Sequence, residues 1–116
     1  MRDDFAWLLD MKIAACDAME FIEGVCWEEF RDNRMLQHAS CMTLEIIGEA
    51  SRQVSDEFKS RHPEIPWRQI VTLRHRIAHE YFRLDLQIIW GILTRELEPL
   101  VKLLDPLIPP DDSTVV

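Results

Sequence analysis

A chain of 116 residues holds one domain and a single hydrophobic core. A net charge of −8 excludes a protein that coats nucleic acid through bulk electrostatics, and 47% hydrophobic with 29% charged residues excludes wholesale disorder. Only three glycines punctuate the chain, which favours helices over a many-stranded sheet.

Phe5, Leu8, Leu9, Ile13, Cys16 and Met19 recur at helical spacing and predict a first helix over about residues 3–23, closed near Gly24. Trp27-Glu28-Glu29-Phe30 reads as a short helical turn, and Asp32 or Asn33 can cap the next long helix. There Met35, Ala39, Met42, Ile46, Ala50 and Val54 step by three or four, the seam of a packed helix expected to reach about Ser60. His62-Pro63-Glu64-Ile65-Pro66 is the clearest break, and Pro66 suits the first position of a new helix. That helix carries Trp67, Ile70, Val71 and a cluster of Arg and His. Asp85 is the expected cap of a last helix bearing Leu86, Ile89, Ile92, Leu93 and Leu97, with Pro99 expected to kink or end it. A short helical piece would then hold Leu100, Val101 and Leu104. The fold class is therefore all-α, an antiparallel four-helix bundle with short additional helices. The expected division is a helical domain over 1–105 and a flexible C-terminal tail over 106–116.

Cys16, Cys26 and Cys41 are odd in number and lack metal-finger spacing, so they read as buried free thiols. Arg2, Asp3, Asp4, Asp10 and Lys12 interrupt any signal-like apolar run, and no window reaches the roughly 20 apolar residues of a membrane span. The expectation is a soluble, cytoplasmic protein without membrane contact. Trp7, Trp27, Trp67 and Trp90 give more aromatic surface than one small core comfortably hides, a reason to expect a homodimer.

Charge is segregated. From Arg61 to Arg83 five Arg face only Glu64 and Glu80, with His62, His75 and His79 among them, while the remainder of the chain is strongly acidic. At the heart of this window lies Leu73-Arg74-His75-Arg76-Ile77-Ala78-His79-Glu80-Tyr81-Phe82, with the protein's sole Tyr. Arg offers a fixed charge and a donor fork shaped for phosphate, and His exchanges protons near neutrality. The same stretch also reads as an exposed basic helix end that complements the macrodipole. His75 and His79 share the i,i+4 spacing of a metal pair, but a third ligand is missing and Arg76 would oppose a dication, so no metal is expected. Glu45 and Glu49 are likewise four apart, without the Glu-x-x-His partners of a di-iron bundle, and read as a solvated or hydrogen-bonding face. Arg74 and His79 are five residues apart, about 140° around an ideal helix, so they meet only if the helix breaks or a second subunit completes the site.

Arg74-x4-His79-x-Tyr81 resembles the motif of the HEPN superfamily, and within it the HepT-like ribonuclease toxins. Leu44-Glu45-Ile46-Ile47-Gly48-Glu49-Ala50, Pro63 to Ile70, and the run from Tyr81 to Trp90 also resemble segments of that family, so the likeness spans roughly residues 4–104. One position departs: His75 stands where the family has Asn. The resemblance implies the toxin component of a toxin–antitoxin system of type II or VII, a metal-independent endoribonuclease with no cofactor. Arg74 and His79 would be catalytic in a dimer cleft, with His75 and Arg76 supporting the substrate phosphate. It further implies a small nucleotidyltransferase (MNT) antitoxin as partner, which silences the toxin by adenylylating Tyr81. The alternative is a catalytically quiet HEPN module that binds a nucleotide or that transferase.

Overall fold

Asp3 starts the first helix by accepting the Ala6 N–H at 2.9 Å, and α1 runs Asp4–Phe21 in the computed structural model, which describes residues 2–110. Gly24, at φ +75°, makes the left-handed turn after it, a conformation an L side chain resists. Cys26 precedes α2 (Trp27–Arg31), its N–H held by Glu29 at 3.2 Å. Of the two residues expected to cap α3 (Arg34–Gln53), Asn33 does so, accepting the Leu36 N–H at 3.0 Å; Asp32 pairs with Arg31 instead.

The expected helix to Ser60 is two helices. Ser55 caps a separate α4 (Asp56–Arg61) through Phe58 N–H, and Asp4 accepts from both the backbone N–H and the hydroxyl of Ser55, at 2.8 and 2.7 Å. This pairing ties the start of α1 to the end of α3, which makes the two antiparallel. The expected seam of α3 holds only at its C-terminal end, where Ala50 and Val54 are buried; Met35, Met42 and Ile46 are exposed, while Ser40, Cys41, Thr43, Leu44, Ile47, Gly48 and Ser51 are buried. Small residues line this face because α1 presents Ala14, Ala15 and Ala18 to the same core, and small side chains on both sides let the two helices approach closely.

Trp67 opens α5 (Trp67–Glu80) directly after Pro66, and its indole N–H donates to the His62 carbonyl at 2.9 Å, closing the connection. A 3₁₀ turn, Tyr81–Arg83, leads to Asp85, which caps α6 (Leu86–Gly91) as expected. The last rod is disrupted upstream of Pro99. Ile92–Glu96 form a π-helical turn, with Leu97 N–H reaching back to the Ile92 carbonyl, and α7 (Leu97–Leu104) then carries Pro99 in its first turn. Pro99 has no N–H to return to the preceding turn, and the wider winding lies where that ladder is interrupted.

The layers are α5 on α3, α3 on α1, and α1 on α7, an all-α bundle without strands among the described residues. The core joins Leu8, Met11 and Ala15 of α1 to Leu44 and Ile47 of α3, Phe30 of α2, and Ile89, Leu93, Leu97 and Leu104 of the last rod. The four Trp, expected to overflow it, are all partly buried against it. Cys41 is buried but Cys26 is exposed, so only part of the thiol set is a core set. Asp105–Leu107 form a 3₁₀ turn, and Leu107 and Ile108 pack on the core; of the expected tail, residues 111–116 lie outside the described residues. No described helix is long and apolar enough to cross a membrane.

Removing the Ser55 hydroxyl takes away a helix cap and an acceptor's partner at once. Ser55→Ala should lower stability by about 1–2 kcal/mol, read as a reduced urea midpoint with an unchanged slope.

Candidate functional site

The contact between α3 and α5 builds the site. A Cβ placed on Gly48 would lie 2.1 Å from Cβ and 2.5 Å from Cγ of Arg74, so only glycine admits α5 at this depth. Arg74 is half-buried there. Its guanidinium lies 3.7 Å from Glu49, an ion-pair distance too long for a hydrogen bond, and its Nε is buried without a partner among the described residues. Glu49 gives its best bonds elsewhere: Arg52 binds it twice, at 2.8 and 3.1 Å, and Gln53 donates at 3.0 Å. The Arg52 contact, then Gln53, with Arg74 as the smallest contributor, holds the Glu49 carboxyl down to about 2. Glu49 thus keeps a negative charge beside Arg74 without saturating the fork that a phosphate would need.

His79 sits on a different side of the same helix. α5 is continuous from Trp67 to Glu80, so the five-residue step turns His79 about 140° from Arg74. The structure does not bring this pair together in one chain. His79 is exposed, and its ring lies 4.3 Å from that of His75. Arg76 is exposed too and pairs with Glu80 at 3.6 Å, one turn on.

Tyr81 lies in the 3₁₀ turn, seven residues after Arg74, and returns to the α3 side. Its hydroxyl is hydrogen-bonded to Nδ1 of His38, and the two rings stack with centroids 5.0 Å apart and planes at 14°. Burial is the main reason its phenol titrates above the ordinary value. Phe82, 85% exposed, meets the Tyr81 ring edge-on. Met42 shares a shallow concavity with Phe82, Tyr81, Ile77 and Glu45, so an apolar surface adjoins the basic segment.

Reasoning from sequence passes over three residues here. Gly48 carries a signal, a lone glycine inside an otherwise apolar helical run. Glu49 is readable as a hydrogen-bonding position, but not as the neighbour of Arg74. His38 gives no local signal, because its partner lies 43 residues away.

Comparison with known proteins adds to this geometry. The family model described as "Ribonuclease HepT-like" matches residues 11–107. "Putative RNase MJ1380" of Methanocaldococcus jannaschii is 37% identical over 101 residues, 87% of this chain and 93% of that protein. "Probable ribonuclease HepT" of Thermococcus cleftensis is 38% identical over 81 residues, 70% of this chain and 74% of that one. "Putative RNase TTE0752" of Caldanaerobacter subterraneus is 36% identical over 84 residues, 72% and 75% of the two chains. No solved structure matches the chain.

The α3–α5 contact has two measurable consequences. Gly48→Ala should destabilise the fold by about 1–3 kcal/mol, the scale of an overpacked core, measured by urea unfolding. Glu49, its carboxyl depressed from 4.5 to about 2, contributes stability that is present above the ordinary carboxyl range and lost as pH falls. The stability gap between wild type and Glu49→Gln should accordingly be open at neutral pH and close between about 4.5 and 2.

Proposed function

We propose that this chain, which belongs to the ribonuclease HepT-like family and is an RNA endonuclease by that membership, cuts RNA without a metal in a cleft shared by two subunits. What carries the reading is the intact Arg74-x4-His79-x-Tyr81 inside the matched span, with His79 open to solvent. RNA supplies its own nucleophile, the 2′-OH. His79 takes the proton from that hydroxyl or returns one to the leaving 5′-oxygen, and Arg74 stabilises the charge that builds on the phosphorus oxygens. His75 and Arg76, exposed beside His79, hold the neighbouring backbone phosphate.

The continuous α5 supports the shared cleft, because Arg74 and His79 of one chain point apart. The exposed Met42, Ile46 and Phe82 support a two-fold contact beside it, an apolar surface that a second copy would cover. The biological role that fits is the toxin of a toxin–antitoxin pair in the cytoplasm, whose partner is a nucleotidyltransferase that adenylylates Tyr81 and so silences cleavage. Tyr81 is a control point in this reading.

Purified protein should cleave single-stranded RNA in EDTA and leave 2′,3′-cyclic phosphate ends. Arg74→Ala and His79→Ala should each lose about 10²-fold or more, whereas His75→Asn should stay active. Mixing the two inactive variants decides the cleft: re-equilibrated dimers should recover about a quarter of wild-type activity, since half are mixed and each mixed dimer has one intact site. A mixture that stays inactive would place the pair within one chain, and an active monomer by light scattering would remove the dimer altogether.

A further inference from the structure

A buried phenol is a poor nucleophile. Tyr81 is half-buried, and that burial holds its proton on. For the oxygen to attack phosphorus, a base must stand within hydrogen-bond reach of it. Among the described residues one side chain does: His38 on the first turns of α3, whose Nδ1 is bonded to the Tyr81 hydroxyl. The ring stack fixes the imidazole against the phenol, so the contact is held by packing as well as by the hydrogen bond. His79 is two residues away in sequence, yet its ring partner is His75.

The two rings form one wall of a cavity of about 130 Å³ lined also by Arg34, Gln37, Cys41 and Phe82. Arg34 is the cation of this lining, and Glu45 flanks His38 on the neighbouring surface with Cys41. Arg74 is not part of the lining. A phosphate on Tyr81 would meet Arg34 first.

Resting on the reading of Tyr81 as the adenylylated residue, the geometry points to His38 as the base that takes the phenol proton when Tyr81 attacks a nucleoside triphosphate. The Tyr81 oxygen forms a bond to the α-phosphorus, and the bond from that phosphorus to the β-phosphate bridging oxygen breaks. Pyrophosphate leaves with the electron pair, the phenol proton passes to His38 Nδ1 and then to solvent, and Arg34 faces the α-phosphate as its diester forms. His38 must begin as the tautomer with Nδ1 free, so that the Tyr81 hydroxyl donates and the imidazole accepts.

The test uses the full chain with ATP, magnesium and its nucleotidyltransferase partner, reading AMP mass on the peptide that contains Tyr81. Because Tyr81 is the sole tyrosine, the assignment is unambiguous. His38→Phe keeps a ring for the stack and removes the acceptor, and it should slow transfer by about 10²-fold while circular dichroism shows an unchanged helical fold. His38→Ala should be as slow, and imidazole added to the buffer should restore part of its rate, which a packing role would not allow. Wild type that takes no AMP on Tyr81 overturns the reading of that residue and this inference with it. Wild type modified, with folded His38→Phe modified equally fast, overturns the role of His38 alone. A slow His38→Ala that imidazole leaves slow reduces His38 to packing and overturns it too.

Discussion

Helix α5 can lie against α3 in this register only because residue 48 has no side chain. The Arg74 Cβ occupies the space a Gly48 Cβ would fill, and the contact sets both the depth and the rotation of α5. A second anchor, Tyr81 on His38, lies near the other end of the interface. Arg74 on α5 and Tyr81 in the turn that follows it both meet α3. Two anchors against α3 leave no rotational freedom, so His79 is turned outward. The single-chain geometry of the motif is therefore a consequence of packing, and it separates the arginine from the histidine.

That separation gives Arg74 and His79 different surroundings. Arg74 sits half in the protein, next to a carboxylate that Arg52 and Gln53 already occupy. It is oriented by packing against α3, where a bidentate bond to Glu49 would have consumed its donors. Among the described residues His79 pairs with no carboxylate, and its ring lies against another imidazole. In the proposed mechanism preorganisation thus rests on the arginine, the group assigned to meet charge. In the mechanism proposed above, the histidine stays free to approach the proton it moves, and a second subunit sets its position in the working site.

Local chemistry makes much of the fold legible. Helical periodicity, the Asn33 and Asp85 caps, the turn before Trp67 and the short α2 all arise from neighbours within a few residues. The errors share one cause, a partner far along the chain. Ser55 reads as an ordinary helical position until Asp4, 51 residues away, is seen to bind it. The buried face of α3 is misread ahead of Ala50 and Val54 because Ser40, Thr43 and Gly48 look less hydrophobic than Met35, Met42 and Ile46. Close helix packing selects small side chains there, and hydrophobicity is a poor guide to such a seam. In the site the same rule holds: the Arg74, His79 and Tyr81 positions are readable as a string, while the contact of Gly48 with Arg74 and that of His38 with Tyr81, which set how that string is presented, are not.

The acidity of the chain fits this picture once its distribution is considered. RNA is drawn by cations and repelled by carboxylates over a distance of about 8 Å at physiological salt. A uniformly basic surface would hold RNA anywhere and in any register. Here the five Arg from 61 to 83 form the basic exception on a molecule of net charge −8, and Arg76 and the two exposed imidazoles lie inside it. The acidic remainder disfavours other approaches, so charge contributes orientation more than affinity. Under the reading proposed above, in which Tyr81 carries AMP, the one added phosphodiester charge need only spoil the local positive field at Tyr81 and has no diffuse basic surface to overcome.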